Sequence, residues 1–176
     1  VWNSGLDDLP ALSVVDELAG SPGFGVGTLR DRGDETWQNE ERLAEYKDWG
    51  RSADHLTIRP TPPGRRLSLG EWCVDISGNP GRTVYAPAVV LTACWRMWFG
   101  QQAFVLLDRE RLRTFPHAHT LRELPSGAIF IQLAEDWSNP HMPEYRERQQ
   151  AFRDWMGLDS LEDQARELVS NSADVG

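Results

Sequence analysis

Apolar and polar positions along the chain follow two periods, one near that of a helix and one of two residues, as for a strand. Ala11, Leu12, Val14, Val15 and Leu18 recur at helical spacing after Asp7-Asp8 and Pro10, and Gly20 ends the run. Acidic residues ahead of a first-turn proline suit the positive end of a helix. Ser21 to Gly27 is a glycine-rich loop. Trp37, Leu43, Tyr46 and Trp49 predict a second helix over Asp34 to His55. Asp34 is its expected cap, with Glu40, Glu41, Glu45 and Asp48 turned to water. Leu56 to Arg59 predicts a short strand, and Thr61-Pro62-Pro63-Gly64 a turn.

Leu67 to Ile76 alternates as a strand does, and Ser77 to Gly81 breaks it. Pro87 to Gly100 is the most apolar window, and its 14 residues predict a buried helix with Pro87 in the first turn. Gln102 to Leu107 predicts a strand, Arg109 to Arg122 a basic loop or short helix, and Ala128 to Leu133 a further strand. Glu135 to Pro143 is a loop. Glu144 to Met156 predicts a helix with Tyr145, Phe152 and Trp155 on one side and Gly157 at its end. Asp159 to Val169 predicts a last short helix, with residues 171–176 as a frayed tail.

This order predicts an α+β fold: a small, mainly antiparallel sheet packed against several helices as a single pair of layers. One domain is expected over residues 1–176, with a helical part at 1–60 and a mixed part at 61–170. No internal repeat and no linker divides it.

Composition adds charge to this picture. The 17 aromatic residues, eight of them Trp, exclude a disordered chain. The 27 acidic and 18 basic residues leave a net charge of −9, which argues against direct recognition of a phosphate backbone. The charge is uneven: residues 1–60 hold 12 acids and 6 bases, residues 61–122 hold 4 and 8, and residues 123–176 hold 11 and 4. Two acidic flanks therefore enclose an Arg-rich middle. They serve solubility, or they attract a basic partner. Cys73 and Cys94 are too few for a disulfide framework and sit in apolar surroundings, so reduced buried thiols are expected. No apolar run is long enough to span a membrane and no signal peptide opens the chain, so a cytoplasmic location is expected.

Each candidate for chemistry lacks a requirement. His117 and His119 would share one face of a strand, but a metal site needs a third ligand. Gly23-Phe24-Gly25-Val26-Gly27 lacks the spacing of a dinucleotide fingerprint and the lysine of a P-loop, so it reads as a turn. Glu135 and Asp136 are adjacent, and on a strand would point to opposite faces, a poor arrangement for acid and base. Cys94 lies in the most apolar window rather than in the electropositive, open setting a nucleophile needs. Trp95 and Trp98 suit a core better than a platform for bases. No catalytic residue, cofactor or metal is expected.

A protein-binding role therefore ranks above catalysis. The acidic and aromatic positions expected to meet a partner are Asp31, Asp34, Glu35 and Glu41, with Glu135, Asp136, Trp137, His141, Glu144 and Tyr145 in a second stretch. The alternative is a small hydrolase-like enzyme with a site near His117 and His119 or near Glu135.

Between Leu67 and Gly157 the layout resembles bacterial immunity proteins of the polymorphic-toxin type, most nearly the immunity protein 52 family. The matching run is the strand Leu67–Ile76, the helix Pro87–Gly100 with Trp95, the strands Phe104–Leu107 and Gly127–Ile131, and the helix Glu144–Trp155. The resemblance implies a non-enzymatic cytoplasmic protein that binds one cognate toxin domain, such as a nuclease, and blocks its active site or activation.

Overall fold

The computed structural model describes residues 10–62, 70–86, 89–136, 139 and 141–164. The Asp7-Asp8 pair, the turn at Pro63-Gly64, the start of the Leu67 strand, Pro87, Trp137 and the tail lie outside them.

The fold is α+β. Helix α1 spans Pro10–Ala19, strand β1 Val26–Leu29, α2 Arg32–Asn39 and α3 Leu43–Asp48. Strands β2 (Ile58–Pro60) and β3 (Trp72–Val74) form one antiparallel pair, and β4 (Val84–Ala86) and β5 (Val89–Leu91) another. Strand β6 (Arg96–Phe99), helix α4 (Arg109–Arg113), β7 (Thr120–Glu123), β8 (Ile129–Gln132) and helix α5 (Pro143–Met156) follow. The main sheet has four strands in the order β1-β6-β8-β7, all neighbours antiparallel.

Period-two alternation in this sheet fills two separate apolar layers. Met97 and Phe99 of β6 and Ile129 and Ile131 of β8 pack with Tyr145, Phe152 and Met156 of α5. Phe152 lies over Phe99 with centroids 5.9 Å apart and meets Phe115 edge-on at 5.3 Å. Trp98 and Phe130 point the other way and pack with Ala19 of α1 and with Leu124 and Ala128. The expected pair of layers thus gains a third, partial one, because α1 and α5 lie on opposite faces.

Five expectations are corrected. The window from Pro87 to Gly100 is two strands, β5 and β6, rather than a helix. As a central strand covered on both faces, β6 is apolar at consecutive positions, and such a run carries no period that separates it from a buried helix. Val89 and Val90 of β5 and Trp98 and Phe99 of β6 favour strands. The reverse error falls at Gln102–Leu107, where Ala103–Val105 forms a 3₁₀ turn. Ala103 and Leu107, four apart, are buried while Val105 is exposed, so the burial spacing is helical.

The helix expected over Asp34 to His55 breaks between Asn39 and Leu43. There the Asn39 amide turns back onto Glu35 O at 2.8 Å, and Glu40 accepts the Arg42 N–H at 2.8 Å. Polar side chains of this kind compete with the helical ladder. The cap is Asp31, whose carboxylate accepts the Asp34 N–H at 2.7 Å. Lastly, the glycine-rich segment is not only a turn: β1 emerges from it and pairs with β6, Gly27 opposite Trp98.

Helix α5 ends at Gly157, in the left-handed region at φ 65°, where a residue without Cβ is least strained. Residues 158–164 continue as a helix. It is tied back by Arg153, only 1% exposed, which donates to Asp159 at 2.7 Å and to the Arg82 carbonyl at 3.0 Å. Burial first, and then the neighbouring Arg82, lower the pKa of this guanidinium. Arg82 also donates to Asp159, at 2.8 Å.

Candidate functional site

The site begins with the first turn of α2. Capping by Asp31 sets the helix so that Asp34 faces inward, where it is 9% exposed. Arg146, in the first turns of α5, meets it with a forked contact: Nη1 donates to Oδ2 at 3.0 Å and Nη2 donates to Oδ1. Arg146 Nη1 also donates to Gln149 Oε1 at 2.7 Å, and the buried Gln149 amide donates to Ala93 O at 2.6 Å. A bidentate charged pair with a supporting amide fixes orientation as well as distance. Two stretches 112 positions apart, around Asp34 and Arg146, are thereby held side by side.

The expected partner-binding residues divide into two groups. Glu135, Asp136, His141 and Glu144 are exposed, and Asp31 and Glu35 are half-buried. Glu35 pairs with Arg30 at 2.5 Å, and Glu144 with Arg148 at 2.5 Å. Asp34, Glu41 and Tyr145 are buried, so these three side chains serve the interior rather than a surface. Glu41 lies 3.6 Å from Arg59, and its carbonyl accepts the Val74 N–H at 2.9 Å, which joins the α2–α3 bend to β3. Burial, and then the nearby Cys94 and Asp34, push the Tyr145 hydroxyl well above its usual pKa.

Sequence reasoning missed Trp49. Its spacing places it on a helical apolar face, yet it is 72% exposed, at the C-terminal cap just beyond α3. Its ring stands edge-on to Trp37 at 6.4 Å, and the Arg51 guanidinium covers Trp37 at 4.2 Å. An exposed, pre-oriented tryptophan beside carboxylates has the composition of an interface anchor.

The catalytic candidates do not converge. His117 and His119 are both exposed, and His117 meets only the edge of Phe115 at 5.9 Å among ring contacts. Among the described residues no group of three or more His, Cys, Asp or Glu could hold a metal ion. Cys94 is buried and its thiol is pushed up to about 12 by burial, against the opposing pull of Arg30. The Trp95 indole donates to Ala134 O at 2.9 Å and the Trp98 indole to Asp16 at 2.7 Å. These two rings brace the sheet.

A second feature lies on the α1 side of the sheet. Beside Trp98 an open cleft of about 400 Å³ forms between α1 and the strands β6, β7 and β8. Arg96, Thr120, Arg122, Phe130 and Gln132 line it, with Ser13 and Asp16 of α1 at its side. Arg96 Nε donates to Gln132 Oε1 at 3.0 Å, and its guanidinium lies 4.1 Å from the centre of the Trp95 ring. Arg122 lies 4.6 Å over Phe130 and 3.8 Å from Asp16. A helical reading of residues 87–100 hid this site, because only the β6–β8 pairing places Arg96 opposite Gln132.

Compared with known proteins, the chain matches no family model, no curated protein and no solved structure. Among the described residues no helix is long and apolar enough to cross a membrane.

Proposed function

We propose that this chain is an immunity protein that binds a cognate bacterial toxin domain and blocks its active surface. The observation that carries the reading is the Asp34–Arg146 pair, which sets the two acidic stretches against each other. Glu35 stands on α2 and Glu144 on α5, the two helices this pair joins, and Glu135, Asp136, His141 and Glu144 are exposed. A basic partner, such as a nuclease domain, is steered to a face of this sign, which raises its association rate. The resemblance described above supports the reading through its C-terminal strand and helix, which β8 and α5 match. Its Pro87–Gly100 helix is replaced by β5 and β6 and its Phe104–Leu107 strand by a 3₁₀ turn, and these lend nothing. A non-enzymatic, cytoplasmic role without cofactor or metal belongs to this proposal.

The test is co-expression with the product of the neighbouring gene as the candidate toxin, together with purification of the complex. Protection of the cells and a stoichiometric complex are expected. Protection should weaken when Glu35 and Glu144 are both changed to Lys. Continued killing by the toxin, with no complex recovered, overturns the proposal.

A further inference from the structure

Two guanidinium groups near the end of α5 converge on a single oxygen atom. Arg153 Nε donates to Asp159 Oδ1 at 2.7 Å, and Arg82 Nη2 donates to the same atom at 2.8 Å. We infer that Arg82 and Arg153 form a phosphate-binding site, closed by the helix of residues 158–164 as a strap whose own carboxylates occupy it.

Depth separates the two sides of this contact. The side chains of Arg153 and Arg82 are 1% and 10% exposed, whereas that of Asp159 is 56% exposed. The cations lie deep and the carboxylate stands at the mouth, so the site meets water where Asp159 sits. Among the described residues, the ion pairs of both guanidiniums run to the strap alone. Glu162 Oε2 is the second partner, 3.4 Å from Arg82 and 4.0 Å from Arg153. Asp75 feels the charge of Arg82 at longer range and pairs with Arg59 at 3.6 Å. Buried cations that lose their partners are strongly unfavourable, so lifting the strap calls for another anion. Even with the strap closed, Arg153 Nη2 is buried and makes no hydrogen bond.

The strap is lightly held. Leu158 is fully buried and anchors its start. Beyond it Leu161 and Glu162 are half-buried, and Asp159, Ser160, Asp163 and Gln164 are exposed. Gly157 joins the strap to α5 at a positive φ, with nothing within 4 Å of an added Cβ. A terminal segment with so few buried side chains opens at less cost than the core.

The ligand class follows from charge and donor geometry. A phosphate monoester carries a charge of about −2 near neutral pH and three terminal oxygens on one centre. One such group replaces both carboxylates and gives Arg153 Nη2 an acceptor. Guanidinium forks bind it through parallel N–H donors. The group has two possible sources, free phosphate or a phosphorylated side chain of a polypeptide.

The experiment is amide hydrogen exchange followed by NMR on the full chain. Inorganic phosphate or N-acetyl-phosphoserine amide is added, against chloride at matched ionic strength. A phosphate probe is expected to speed exchange at residues 159–164 in a saturable way and to leave β6 and β8 unchanged. The side-chain Nε–H signals of Arg82 and Arg153 should shift with the same saturation. Asp159→Asn removes the built-in occupant and keeps both arginines. It should bind inorganic phosphate about tenfold more tightly, because less of the site is closed.

A response to N-acetyl-phosphoserine amide alone supports the site with a polypeptide source, and a response to inorganic phosphate supports it with a free one. Exchange that phosphate leaves unchanged, or that chloride speeds equally, overturns the site, as do unshifted arginine signals. Equal phosphate affinity in wild type and Asp159→Asn overturns the strap as the occupant. Should Asp159→Asn fail to fold, exchange and arginine shifts in the wild type decide.

Discussion

Asp34 and Arg146 form a forked ion pair that fastens α2 to the first turns of α5, with Nη1 donating to Oδ2 at 3.0 Å. The pair lies inside the fold on the aspartate side and partly open on the arginine side, with side-chain exposures of 9% and 21%. Removing one partner leaves the other charge under-compensated, while the open side lets water soften the loss. Asp34→Asn is expected to cost about 2 kcal/mol in urea unfolding. Arg146→Met in the Asp34→Asn background should cost less than in the wild type. Additive losses in this double-mutant cycle would show that the two residues are not coupled.

Acid should weaken the fold. Burial raises the Glu40 carboxyl, but hydrogen bonds from the Arg42 side chain and N–H outweigh it and leave the group below its usual pKa. The Ser77 backbone N–H, then the Ser77 side chain, hold Asp75 below the carboxylate range as well. A carboxyl whose folded pKa is lowered stabilises the fold above its unfolded pKa. That contribution is lost as pH falls through the folded value. The midpoint of thermal unfolding should therefore drop on acidification below about pH 4. Glu40→Gln should make that drop shallower, and a slope identical to wild type would contradict the assignment.

Neither thiol should react in the folded chain. Cys73 and Cys94 are both buried, and burial pushes the Cys94 thiol up to about 12. Only the thiolate attacks an alkylating reagent. Iodoacetamide labelling followed by mass spectrometry should leave both unmodified under native conditions and modify both in denaturant. Rapid native labelling of Cys94 would mean that β6 is open to solvent.

Gly100 sits where β6 meets the ends of α1 and the loop before β1. A Cβ there would come 2.7 Å from the Phe24 carbonyl oxygen and 3.0 Å from the Ala19 carbonyl oxygen. Both obstacles are backbone, so relief requires α1 to shift from the sheet. Gly100→Ala should cost about 2 kcal/mol or more, read from the denaturation midpoint. Gly78→Ala, with nothing within 4 Å of the added carbon, is the control.

Charge reversal on the acidic face should separate binding from folding. Glu144 is exposed and Glu35 half-buried, each in an ion pair near the surface. Glu35→Lys with Glu144→Lys should change stability by about 1 kcal/mol or less. Association with a basic toxin domain should slow most at low salt, and the difference should shrink as salt screens it. A rate unaffected by both the substitutions and salt would remove this face from the interface.

Local chemistry was enough for the elements that carry their own punctuation. Helix α5 has Tyr145, Phe152 and Trp155 on one side and Gly157 as its stop, and the structure follows these marks, with the helix starting one residue earlier than expected, at Pro143. Strand β8 and helix α1 were legible for the same reason, a clear period between breakers. The acidity of the two flanks was also plain from the residue order. The centre of the sheet was not, because a strand covered on both faces is apolar throughout and loses its period. Neither was the meeting of the acidic stretches, nor the cleft that sets Arg96 against Gln132. Those depend on pairings between residues 112 and 36 positions apart, and such contacts form only when strands register and helices pack.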